Sequence, residues 1–272
     1  MILRHARREE LDTALAWAAA EGWNPGLDDA SAFWAADPLG FFVAELGDQP
    51  VAFISVVNHC ADHAFLGLYL CHPAWRGKGI GLALWRHAIP HAGARSIALD
   101  GVDAQQANYA KSGFVRVGGT QRWEGQVPAV RNPGVRLAAP RDLLLIQALD
   151  AAAHGYSRAG FCQTWIKASP TRQTVVLSDG SGCGTVRRCK TGVKIGPVLA
   201  PTAELALQII QFAANCLPAD TVTLDLPEEN KALAGLLAAA GFCKSFRTAR
   251  MVKGMAPQST GLLQAIATME LG

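Results

Sequence analysis

The sequence has no long apolar run. Its longest alanine-rich stretch, Ala14 to Ala20, falls far short of the roughly 20 apolar residues that cross a bilayer. Arg4, Arg7, Arg8, Glu9 and Glu10 occupy the segment that a signal peptide would keep apolar. There is no CxxC pair, and the seven cysteines (60, 71, 162, 183, 189, 216 and 243) follow no regular spacing. A chain of this length needs no disulfide staple, so reduced thiols in the cytoplasm are expected. Charge is also scarce. Charged residues are 17% of the chain and the net charge is +3, too little for a dense basic stripe, so neither nucleic acid nor membrane is expected as a partner. With half of the residues apolar, disorder is excluded as well.

What is present divides in two. Gly125, Pro128, Asn132 and Pro133 are turn and breaker residues between periodic regions. They set expected domains at 1–127 and 134–272. Residues 1–135 hold 11 basic and 13 acidic side chains, leaving 14 and 9 for the remainder, so the sign of the charge changes across the boundary. The two parts repeat one pattern. Each opens with a short strand and a helix that ends at glycine and an aromatic, Gly22-Trp23 or Gly155-Tyr156. A hairpin follows, Phe41–Leu46 with Val51–Val57, or Thr174–Leu177 with Cys183–Cys189. Then come a strand (Phe65–Cys71 or Val193–Leu199), a helix (Ile80–Ile89 or Thr202–Cys216), a buried strand (Ser96–Asp100 or Thr221–Asp225) and a helix ending at Gly113-Phe114 or Gly241-Phe242. This order predicts a duplicated α+β unit, each copy a mixed, mostly antiparallel sheet flanked by helices.

The stretch richest in chemistry is Leu68-Tyr-Leu-Cys-His-Pro-Ala-Trp-Arg76-Gly-Lys-Gly-Ile-Gly81. An apolar strand runs into a glycine-rich turn and then straight into a helix. Glycine lets a ligand approach the backbone closely, and the first helical N–H groups carry the positive end of the dipole. Strand, glycine loop and helix therefore make an anion cradle, to which Arg76 and Lys78 add charge. The spacing fits neither a Walker loop nor a dinucleotide fingerprint.

Arg76-Gly77-Lys78-Gly79-Ile80-Gly81 resembles the R/Q-x-x-G-x-G/A loop of the GNAT acyl-CoA N-acyltransferases, and Tyr109-Ala-Lys111-Ser-Gly113-Phe114 resembles that family's Y-x-K-x-G-F ending. The whole chain looks like a two-domain bacterial branch whose second GNAT-like domain is degenerate. The resemblance implies that the amides from Arg76 to Gly81 bind the pyrophosphate of acetyl-CoA. It implies that Leu70, Cys71 and His72 bond its pantetheine arm as an added strand. It also implies that Tyr109 protonates the departing thiolate. Direct attack by an amine within a ternary complex is expected, with a small-molecule or peptide amine held between the domains. A non-catalytic acyl-CoA sensor is the alternative.

The family often places a glutamate on the strand before the loop, and Phe65–Leu70 has no carboxylate. His63 is therefore the candidate base. His59, Cys60, Asp62 and His63 are zinc-ligand types, but their order follows no ligand spacing, and no metal is expected. Cys71 is expected to fill space rather than act as a nucleophile. Trp34, Asp28 and Asp29 fall where the family's acceptor loop lies and are candidates to touch a cationic acceptor, with core burial or solvent exposure as the alternative for each. Arg187, Arg188, Lys190 and Lys194 are expected on a solvated strand face. In the second copy, Ala200, Pro201, Thr202, Ala203 and Glu204 replace the loop, and Leu237 replaces Tyr109. That copy is expected to cover the sheet, shape the acceptor cleft or join two chains in a homodimer.

Overall fold

A computed structural model describes residues 1–128, 130 and 132–272. Of the expected boundary segment, Ala129 and Arg131 lie outside the described residues. The first half runs β1 (Ile2–His5), α1 (Arg8–Ala20), α2 (Asp29–Ala36), β2 (Phe41–Leu46), β3 (Gln49–Asn58), β4 (His63–Cys71), α3 (Ile80–Ala88), β5 (Ser96–Gly101), α4 (Gln106–Lys111) and β6 (Val115–Gly125). The second half repeats it as β7 (Val135–Leu137), α5 (Leu143–His154), α6 (Ala159–Trp165), β8 (Arg172–Leu177), β9 (Cys183–Arg188), β10 (Val193–Leu199), α7 (Ala203–Cys216), β11 (Val222–Pro227), α8 (Lys231–Ala239) and β12 (Cys243–Lys253). A final short strand, β13 (Leu263–Ala265), has no counterpart in the first half. Local chemistry explains most of the boundaries. The β2–β3 turn places Gly47 and Asp48 at φ +53° and +61°, the paired positive values of a tight hairpin.

The strands form one sheet in the order β1-β2-β3-β4-β5-β12-β6-β11-β10-β9-β8-β7. Only β4 with β5 and β10 with β11 pair in parallel; the remaining pairs are antiparallel. The order is symmetric about its middle, with the last strand of each repeat exchanged. β6 pairs with β11 of the second half, and β12 pairs with β5 of the first. Neither repeat closes its own sheet, and the central β12–β6 ladder joins them.

In the second half, β10 and β11 pair only at Val193↔Val222 and Lys194↔Thr223 before they separate. The chain's own β13 enters the gap and pairs antiparallel with β10. The Ile266 N–H donates to the Asp225 carbonyl at 2.9 Å, and a Cβ at Gly196 would stand 2.0 Å from the Ile266 oxygen. This copy thus fills its own cleft with peptide. The tail then crosses to the first half, where a Cβ at Gly67 would lie 1.9 Å from the Glu270 carbonyl oxygen.

The loop between α1 and α2 is fastened to the second half. Asp29 is fully buried and accepts from Arg172 at 2.7 Å and Arg187 at 3.1 Å. Asp28 accepts from the hydroxyls of Ser169 and Thr171. The Trp23 carbonyl accepts from Lys194 at 3.1 Å and Arg122 at 3.2 Å, and both cations reach Asp225. Two expectations are corrected here. Arg187 and Lys194 are buried at the junction rather than solvated, and Asp28 and Asp29 hold the halves together instead of facing an acceptor. An ion pair this deep persists because each charge finds several partners after losing water.

Candidate active site

β4 and β5 pair from His63↔Ser96 to Leu66↔Leu99 and then diverge. The divergence begins at a bulge. Phe53 faces Leu70 and Ser55 faces Gly67, so three steps of β4 oppose two of β3. Leu68 takes φ +44°, a left-handed value rare for leucine, and full burial holds it there. The gap opens into a small inner cavity of about 70 Å³ lined by Trp23, Tyr69, Asp100, Tyr109, Phe246 and Met269, among others. It continues outward into a cleft of about 590 Å³ bounded by Leu70, Cys71, Gly77, Gly79, Ile80 and Gly81. Trp23, Tyr69, Val102, Gln105 and Phe246 belong to both.

The outer cleft has the features of an anion cradle. Gly77 and Gly79 sit at φ +75° and +78°, where an L side chain would be strained. Gly79 caps α3 in the left-handed conformation, and no side chain bonds the first-turn N–H groups. A Cβ at Gly81 would come 2.8 Å from the Tyr69 hydroxyl, so glycine keeps this approach open. Among the expected cofactor residues, Leu70, Cys71, Arg76, Gly77, Gly79, Ile80 and Gly81 line the cleft. Lys78 lies over the Trp75 ring, and His72 packs edge-on against Trp17 while its Nδ1 accepts from the Ala74 N–H. Arg76 is half-exposed and ion-paired with Glu21, and its Nε donates to the Cys71 carbonyl at 3.0 Å. Burial pushes the Cys71 thiol up, which leaves it protonated and weakly nucleophilic.

Tyr109 stacks on Trp85 at 5.6 Å and meets Phe114 edge-on. It packs, as a helix-face aromatic should, and it also lines the inner cavity. Its hydroxyl has no protein partner among the described residues. Burial, with the Tyr69 hydroxyl nearby, pushes its pKa well above the usual tyrosine range. It therefore keeps its proton at neutral pH and can serve as a hydrogen-bond donor.

His63 is not brought to this cleft. It starts β4, six residues before Tyr69, or roughly 20 Å along an extended strand. Its ring stacks on Tyr156 of the second half at 4.6 Å. Its neighbour His59 meets the Leu271 carbonyl at 3.0 Å and is held neutral by burial, with its pKa lowered to about 3. The expectation of His63 as base is corrected on this geometry. The carboxylate that does line the inner cavity is Asp100, reached from β5, and Arg250 of β12 holds both of its oxygens at 2.7 and 2.8 Å. Asp100 precedes Gly101 at the end of a strand, so its spacing carried no sign of the site. Tyr69 stands inside the motif-bearing strand and was legible there as a polar group among leucines. Phe246 and Met269 come from the distant half, and nothing local signals them.

Comparisons with known proteins agree with this geometry. Residues 6–114 match the acetyltransferase (GNAT) family, and residues 146–262 match an acetyltransferase (GNAT) domain. The chain is 35% identical to holothin acyltransferase from a Pseudoalteromonas species, across 98% of this chain and 93% of that protein. The chain belongs to the GNAT acyltransferase family. An uncharacterized N-acetyltransferase of Bacillus subtilis is 28% identical over 60% of each chain. In fold, it is similar to a putative acetyltransferase from Pyrococcus horikoshii, with a TM-score of 0.84, 22% identity, and 100% and 95% of the two chains covered. A tandem GNAT protein of the clavulanic acid biosynthesis pathway gives a TM-score of 0.62 at 19% identity, covering 95% and 99%. No helix among the described residues is long and apolar enough to cross a membrane.

Proposed function

We propose that the protein transfers an acetyl group from acetyl-CoA to the amine of a small, largely apolar acceptor by direct attack within a ternary complex. The carrying observation is the continuous space from the uncapped start of α3 to the divergence of β4 and β5. The amides from Gly77 to Leu82 would hold the diphosphate, and the free edge of β4 would hold the pantetheine arm. When bound, acetyl-CoA supplies the acyl group activated as a thioester. Tyr109 presents its hydroxyl to the sulfur as the thiolate departs.

The inner lining supports the choice of acceptor. Trp23, Tyr69, Phe246 and Met269 are aromatic or apolar, and Asp100 is committed to Arg250. A polycation would find no free carboxylate there among the described residues. The amine would arrive neutral, or lose its proton to solvent. The relative named for acylation of holothin supports a small-molecule acceptor over a protein chain. A soluble cytoplasmic enzyme would fit the reduced cysteines.

The test follows free-thiol release from acetyl-CoA with holothin and simple aryl and alkyl amines. Tyr109→Phe is expected to lower kcat by roughly 10²–10⁴ at unchanged thermal midpoint, since the hydroxyl holds no structural bond. Binding of acetyl-CoA without thiol release for any amine would favour the sensor reading instead.

A further inference from the structure

The second half keeps a cavity that the acyl-transfer reading does not use. It measures about 270 Å³ and is lined by Gly118 and Thr120 of β6, Arg250 and Val252 of β12, and His154 and Tyr156 after α5. By the repeat, Tyr156 corresponds to Trp23 and Thr120 to Thr248, both of which line the inner cavity of the first half. This space is therefore the counterpart of the acceptor side of the active cleft. β13 fills the part beside β10 that corresponds to the thioester side, and the remainder stays open.

Its polar groups are specific. His154 is 5% exposed, and its Nδ1 lies 2.9 Å from the Asp150 carbonyl. That contact assigns the ring proton to Nδ1 and leaves Nε2 as an acceptor. Nε2 is buried without a hydrogen-bond partner. Burial and the Arg158 guanidinium hold the ring neutral, with its pKa lowered to about 4. Arg250 spends Nε and Nη2 on Asp100, and its Nη1 makes no hydrogen bond among the described residues. It is the one cation among the lining residues, and Glu229, which is exposed, is the one carboxylate. Val252, Ile266 and the Tyr156 ring supply apolar walls. A buried lone acceptor left unmet costs on the order of 1–3 kcal/mol, which a matching donor would recover.

We propose that this cavity binds a small aromatic hydroxycarboxylate, its carboxylate on Arg250 Nη1 and its hydroxyl donating to His154 Nε2. Arg250 faces this cavity while its partner Asp100 faces the acyl-transfer cleft. A carboxylate here competes for the guanidinium that holds Asp100, so occupancy is read at the reacting site. That coupling rests on the acyl-transfer reading; the binding does not.

The probe is 4-hydroxyphenylacetate, titrated calorimetrically into the full chain. Saturable one-to-one binding is expected. The uncharged 4-hydroxyphenylacetamide should bind at least about tenfold more weakly, since a charged hydrogen bond is lost. Gly118 has open space where a Cβ would stand and no positive φ, so Gly118→Leu should intrude without disturbing the backbone and abolish the heat. His154→Phe should weaken 4-hydroxyphenylacetate about fivefold or more and leave phenylacetate, which lacks the hydroxyl, unaffected. No saturable heat, or equal affinity in wild type and Gly118→Leu while both bind acetyl-CoA, would overturn the site. With the probe saturating, kcat for acetyl transfer should change at least threefold; an unchanged kcat would overturn the coupling. A chain that binds the probe but never acylates an amine would defeat the acyl-transfer reading and leave this site standing.

Discussion

The helix after β4 and the helix after β10 start in opposite ways, though they occupy the same place in the repeat. Gly79 caps α3 with no side chain on the first-turn amides, and the cleft lies against them. Thr202 caps α7 by accepting from the Leu205 N–H at 3.3 Å, and Glu204 sits in the first turn with its pKa lowered by its hydrogen bonds there. One helix start is left to be satisfied from outside and the other is satisfied from within. The clefts differ in the same sense, since β13 pairs where the first half stays open. One repeat has kept the chemistry. The other contributes Phe246, Thr248 and Met269 to the walls and fastens the loop that carries Trp23.

That division of labour is most easily broken at Asp29. Replacing it with alanine leaves Arg172 and Arg187 buried and unpaired, which should cost about 3–5 kcal/mol of unfolding free energy in a denaturant titration. Asp28→Ala should cost much less, because its partners are hydroxyls. A loss below about 1 kcal/mol for Asp29→Ala would mean that the halves are held by other contacts.

The next largest effect should separate the two helix starts directly. Gly79→Glu adds a β-carbon at φ +78° and a like charge at the expected diphosphate position. Acetyl-CoA affinity should fall about a hundredfold, from a like-charge penalty of several kcal/mol. Calorimetry on folded protein checks it, and affinity within threefold of wild type would place the diphosphate elsewhere.

How much of this was open to reading follows from how local each cause is. The cradle could be read because glycine, strand and helix start are contiguous. Strand and helix ends could be read where proline, glycine or a threonine cap punctuates them. The exchange of β6 and β12 could not, because alternation along a strand reports which face is buried and not which partner supplies the ladder. Arg187 and Lys194 looked like solvent-facing charges. Their counter-charges, Asp29 and Asp225, stand 158 and 31 residues away, a separation no local pattern spans. His63 misled for the converse reason: nearness in sequence to the motif became distance along an extended strand.

The smallest expected effect sharpens the comparison most. Thr202→Ala removes the side-chain cap of α7 and should cost only about 1 kcal/mol. It makes the second helix start resemble the first in its free amides. If an unfilled helix start were sufficient for binding, the variant would gain a second acetyl-CoA site in calorimetry. It should not, because β13 already pairs with β10 where a pantetheine arm would lie, and Ala200 and Glu204 stand where the first half has Gly77 and Gly81. A stoichiometry that stays at one per chain would assign the difference between the repeats to the strand gap as well as the helix start. A rise to two would assign it to the cap alone.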